Sequence, residues 1–78
     1  MKKQAFIQWA IKLGWELDKF GHLKRTMNGK LHRYKLSSVA VRYEVRTNSK
    51  PASWVRLRSG YFSKLSINDE GKLVGLTR

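Results

Sequence analysis

The chain has 78 residues and no cysteine, so it can be only one small domain, residues 1–78, with neither disulfides nor a thiolate metal site to reinforce a thin core. With 41% hydrophobic residues, including three Trp, three Tyr and three Phe, it is too apolar and too aromatic for a disordered tail. Seventeen Lys and Arg against five Asp and Glu give a net charge of +12, more than solubility requires and of the sign that attracts polyanions.

From the N-terminus, Lys3 to Leu13 repeats at helical spacing. Phe6, Trp9, Ala10 and Leu13 form one stripe, Ile7 and Ile11 widen it, and Gln4, Gln8 and Lys12 fill the opposite side. Gly14 stands where a helix would end. A helix of about three turns is marginal alone, so its aromatic stripe is expected to face the core. The opening Met1-Lys2-Lys3 is like that of a signal peptide, but the polar interruptions and the lack of a small-residue cleavage site argue against one. No apolar run approaches the roughly 18 residues of a membrane span. A cytoplasmic protein without a membrane partner is expected.

After Gly14 the period shortens. Trp15 and Leu17 alternate with Glu16 and Asp18 as in a short strand, and Phe20-Gly21 suggests a turn. Asn28-Gly29 between His22–Met27 and Lys30–Leu36 predicts a two-residue type I′ hairpin. That loop dictates the pairing, with Met27 opposite Lys30, Lys24 opposite Arg33 and Leu23 opposite Tyr34. Ser37-Ser38 marks a bend or bulge. Val39, Val41, Tyr43 and Val45 then alternate with Ala40, Arg42, Glu44 and Arg46 in a half-buried strand. Thr47 to Ser53 reads as a loop, Trp54 to Arg58 as a strand with Val55 and Leu57 inward, and Ser59-Gly60 as a bulge or turn. Tyr61 to Ile67 continues the sheet, Asn68 to Gly71 turns, and Leu73 to Leu76 closes it. The expected fold is α+β, with one N-terminal amphipathic helix packed on a meandering antiparallel sheet of about 4–5 strands.

Between Lys19 and Lys64 the only acidic residue is Glu44, so the surplus charge sits on the strands. Hairpin register separates a face with Leu23, Met27, Tyr34 and Leu36 from one with His22, Lys24, Thr26, Leu31, Arg33 and Lys35. On the second face Lys24 opposes Arg33, a destabilising arrangement that a phosphate would relieve. Arg42 and Arg46 make a second basic row, and Trp54, Arg56 and Arg58 a third. Arg forks suit phosphate, and Trp54 could stack an unpaired base. The expected contact surface is therefore Lys24, Arg33, Lys35, Arg42, Arg46, Trp54, Arg56 and Arg58, with Lys30 and Lys50 on loops near it. Its expected partner is nucleic acid, DNA or RNA, bound with little sequence preference because no helix is free to enter a groove. An acidic protein partner for the same basic face is the alternative.

Catalytic chemistry is sparsely supplied. Glu16 with Asp18 and Asp69 with Glu70 are the only close carboxylate pairs, two His without Cys make no ordinary zinc site, and no phosphate-cradling glycine loop is present. Neither a metal nor a cofactor is expected. One enzymatic alternative comes from a likeness over residues 6–33. The amphipathic helix, Gly14-Trp15-Glu16-Leu17, Gly21-His22 and the basic hairpin resemble the front half of HicA-type toxins, small RNA-cleaving proteins with a double-stranded-RNA-binding-like fold. The resemblance implies His22 as catalytic base, although the serine between glycine and histidine in that family's signature is missing here.

Overall fold

Helix α1 spans Lys3–Lys12 in the computed structural model, which describes residues 1–78. Phe6 and Ala10 are buried, and Ile7 and Trp9 pack beside them. The helix stops one residue earlier than its pattern suggests. Leu13, expected on the inner stripe, therefore sits beyond the last turn and is about half exposed, as is Ile11.

Five strands follow in a meander: β1 (Glu16–Leu17), β2 (Leu23–Met27), β3 (Lys30–Leu36), β4 (Ala40–Arg46) and β5 (Trp54–Tyr61). They form one antiparallel sheet in the order β1-β2-β3-β4-β5. The β2–β3 hairpin has the register that its loop dictates, from Met27 opposite Lys30 to Leu23 opposite Tyr34. Asn28 and Gly29 both take positive φ, 53° and 77°, the left-handed pair that a type I′ turn demands. In the next turn, Ser37 N–H donates to the Ala40 carbonyl and Ser37 Oγ accepts from Ala40 N–H. Val39 is at the tip of that turn and 60% exposed, rather than inside the strand as its alternation suggests.

Between β4 and β5 the register shifts at Tyr43/Glu44. Arg58 stands opposite Tyr43 and Arg56 opposite Glu44, which leaves Leu57 as the extra residue of a bulge. The bulge expected at Ser59-Gly60 thus lies earlier in the strand. Gly60 has another role: a Cβ there would press on the Gly75 carbonyl at 3.3 Å and on Leu65 and Leu76. Tyr61 to Ile67 does not continue as one strand. Phe62–Lys64 form a single 3-10 turn, because Phe62 and Leu65, three residues apart, are both buried and need one face of a turn, not alternate faces of a strand. The chain then closes with a small two-stranded sheet, β6 (Ser66–Ile67) and β7 (Leu73–Val74), around the expected Asn68–Gly71 turn.

The core joins Phe6, Ala10 and Trp15 to Leu23, Tyr34, Leu36 and Val41 of the sheet and to Phe62 and Leu65. Phe6 meets the Tyr34 ring edge-on at 5.0 Å, and Trp15 lies 4.3 Å from it. These contacts hold α1 on one sheet face and leave the other without a helix. No helix is long and apolar enough to cross a membrane.

Candidate nucleic-acid interface

Strand pairing arranges the helix-free face in rows. The central row runs Glu16, Lys24, Arg33, Glu44, Arg56 across β1 to β5. Beside it runs Lys35, Arg42, Ser59, and on the other flank Arg46 lies opposite Trp54. Lys24, Arg33, Lys35, Arg42, Arg46, Trp54 and Arg56 therefore share one face, as the alternation predicts. Arg58 does not. The bulge at Leu57 turns it to the helix side, opposite Tyr43, so it leaves the row that it was expected to form with Trp54 and Arg56. Strand alternation also places Lys30 on the helix side, with His32 and Tyr34, and Lys50 is exposed on the 47–53 loop.

Two cations of the central row, Lys24 and Arg33, are neutralised within the fold. Lys24 does oppose Arg33, but Lys24 Nζ is 3.2 Å from Asp18 Oδ2. Arg33 donates from Nε and Nη2 to Glu44 Oε1 at 3.0 and 2.6 Å. Glu44 is buried, so this is a partly desolvated, charge-assisted pair. The expectation that a phosphate relieves the Lys24–Arg33 repulsion is therefore corrected, since the fold supplies its own carboxylates. Trp54 is occupied too. The Arg33 guanidinium lies 3.9 Å from its ring centroid and that of Arg46 5.5 Å away, so the indole already stacks on protein cations.

The neighbouring row has no such relief. Lys35 and Arg42 stand directly opposite each other, both are exposed, and neither has a carboxylate within ion-pair distance. Arg46 and Arg56 likewise lack a carboxylate partner. All four belong to the expected surface, but the pairing of Lys35 with Arg42 was not among the expectations. Its signal was available in the β3–β4 register, which needs the Ser37–Ala40 turn to be read as a closed turn.

His22 and Asp18 border these rows. Asp18 Oδ1 accepts the N–H of Phe20 and of His22, both at 2.9 Å, and so builds the β1–β2 turn. Burial opposes its ionisation, but those N–H groups and Lys24 outweigh it and hold the carboxyl below its usual range. His22 Nδ1 accepts the Leu36 N–H at 3.0 Å. Burial lowers the His22 pKa, Arg33, Lys35 and Lys24 reinforce the effect, and Asp18 opposes it. The other histidine, His32, shares a 2.6 Å hydrogen bond with the Tyr43 hydroxyl on the helix side. No three His, Asp or Glu side chains gather where a metal ion could be held. No family model, curated protein or solved structure matches this chain.

Proposed function

We propose that the protein binds nucleic acid by laying the helix-free face of its sheet along the phosphate backbone. Lys35 and Arg42 would make the central contact, with Arg46 and Arg56 on its flank. One observation carries this reading: Lys35 and Arg42 face each other across β3 and β4, exposed and without a carboxylate in range. Two such cations repel in the free protein, and a phosphate between them turns that repulsion into two attractions. Lys24 and Arg33, satisfied within the fold, act as its frame and not as primary contacts. Because α1 spends its apolar stripe on the core, backbone contact without base reading is the mode that the surface supports.

The RNA-cleaving alternative draws less support. With Nδ1 of His22 accepting the Leu36 N–H, the proton of the neutral ring resides on Nε2, so neither nitrogen is free to act as a base. The chain beyond β5 also adds strands and a single 3-10 turn, with no second helix.

The test is the salt dependence of binding to a mixed-sequence oligonucleotide. Duplex binding should weaken with a log–log slope of about −3 to −4, close to −0.9 for each of the unpaired cations engaged. Affinity that does not change between low and physiological salt would sink the proposal. Purification bound to an acidic protein, with no nucleic acid carried through, would favour the protein-partner alternative.

A further inference from the structure

On the reverse side of the sheet, the core contacts of α1 leave the far end of β4 and β5 uncovered, and Val55 and Leu57 remain nearly half exposed there. Between this end and the C-terminal segment lies an open hollow of about 610 Å³, within the range typical of small-molecule sites. Its lining includes Tyr34, Tyr43, Leu57, Arg58, Leu76 and Arg78, and no Asp or Glu side chain. Arg58 has no ion-pair partner. The bulge is what puts it there. In a regular strand Arg58 would lie on the helix-free face, and the extra residue Leu57 re-aims it beside Tyr43. Tyr34, only 8% exposed, borders the same hollow, and its hydroxyl is not among the side-chain hydrogen bonds of the fold. Burial, with the nearby Tyr43 adding to it, pushes its pKa up to about 12, so it remains a proton donor.

We propose that this hollow binds a nucleotide, with the phosphate held by Arg58 and Arg78 and the base against Leu57, Leu76 and the Tyr43 ring. The unpaired arginines and the free hydroxyl call for an anion with hydrogen-bond acceptors. The leucine and tyrosine walls extend further than a bare phosphate can cover, and a planar base fills them. An extended acidic peptide fits less well, because the β5 edge is already paired at Ser59, which exchanges hydrogen bonds of 2.8 and 2.9 Å with Thr77. Of the cations on the helix-free face only Arg56 also lines this hollow, while Lys35, Arg42 and Arg46 do not, so the inference does not depend on the function proposed for that face.

Titration of the full chain with adenosine monophosphate, adenosine and inorganic phosphate, followed by the tyrosine ring signals in NMR, tests it. The nucleotide should shift Tyr34 and Tyr43 and bind at least tenfold more tightly than adenosine or phosphate alone. Arg58→Gln should weaken it at least tenfold and Leu57→Ser should weaken the nucleotide but not phosphate, whereas Lys35→Gln should leave nucleotide binding unchanged. An Arg58-dependent preference for a 5′-phosphorylated over a 5′-hydroxyl oligonucleotide would identify the ligand as a strand end, and nucleotide binding without that preference as a free nucleotide. Either supports the site. It is overturned if the nucleotide binds no better than phosphate, if Arg58→Gln binds it like the wild type, or if a Glu-rich peptide shifts the same tyrosines at lower concentration. Loss of this site with intact salt-dependent oligonucleotide binding strikes only the present inference.

Discussion

Lys24 opposite Arg33 and Lys35 opposite Arg42 occupy neighbouring rows of the same sheet face, two residues apart along β3. The first pair lies where the face is partly covered. The Arg33 side chain is only 14% exposed, and Glu44 beneath it 8%. A cation taken that far out of water is costly unless a carboxylate accompanies it. Glu44 and Asp18 do so. The second pair is nearer the end of the β3–β4 hairpin, where both side chains reach solvent and water alone suffices. Like charge across a sheet therefore says little by itself. Burial decides whether the fold must neutralise it or can leave it open to a ligand.

The strongest way to break this contrast is Glu44→Gln. It leaves Arg33 partly buried without its counter-charge and should lower stability by about 3 kcal/mol in urea unfolding. Unchanged stability would mean that the central row does not need its carboxylate, and the two rows would no longer differ. A smaller effect, of opposite kind, is expected from Lys35→Gln with Arg42→Gln. Relief of the repulsion should leave stability level or raise it by about 0.5 kcal/mol. Oligonucleotide affinity should fall roughly tenfold or more, and the salt slope should become shallower by about 2. Lys24→Gln should do little to either slope or affinity, and equal losses from Lys24→Gln and Lys35→Gln would erase the distinction drawn here.

The smallest effect sits at the seam between the rows. Because the folded His22 pKa lies below its ordinary value of 6.5, the unfolded chain takes up the proton first. Its contribution to stability is thus complete above about pH 6.5 and is lost as pH falls through the lowered folded value. Protonation of Nδ1 also breaks the bond from Leu36 N–H. The depressed Asp18 carboxyl acts in the same direction, its contribution being present above its ordinary value of 3.8 and lost below it. A series of Tm values should decline gently below pH 6.5 in the wild type and less in His22→Gln. A parallel decline in both would remove His22 from the account.

Much of the frame was legible from residues alone. Asn28-Gly29 set the β2–β3 register residue by residue, and the apolar spacing placed α1 to within one position. Both signals are local, since a tight turn and a helical period are decided by neighbours a few residues away. The candidate site was only half legible. Strand alternation put Lys35, Arg42, Arg46 and Arg56 on one face. It did not show that Lys24 and Arg33 had partners, because Asp18, expected within the first strand, sits in the turn beyond β1 and reaches Lys24 from there, and Glu44 reaches Arg33 across a different hairpin. Arg58 was misplaced for a related reason: a one-residue bulge reverses every later side chain, and nothing in Trp54–Arg58 announces it.

The amino acids by themselves determined a small, strongly basic α+β domain, its β2–β3 hairpin and the concentration of charge on the strands, because periodicity, turn chemistry and composition need no distant partner. Tertiary structure alone decided which cations are paired and which stand free, and to which side Arg58 points. Those outcomes depend on register across β3, β4 and β5 and on how deeply each charge is buried, both set only once distant strands have come together.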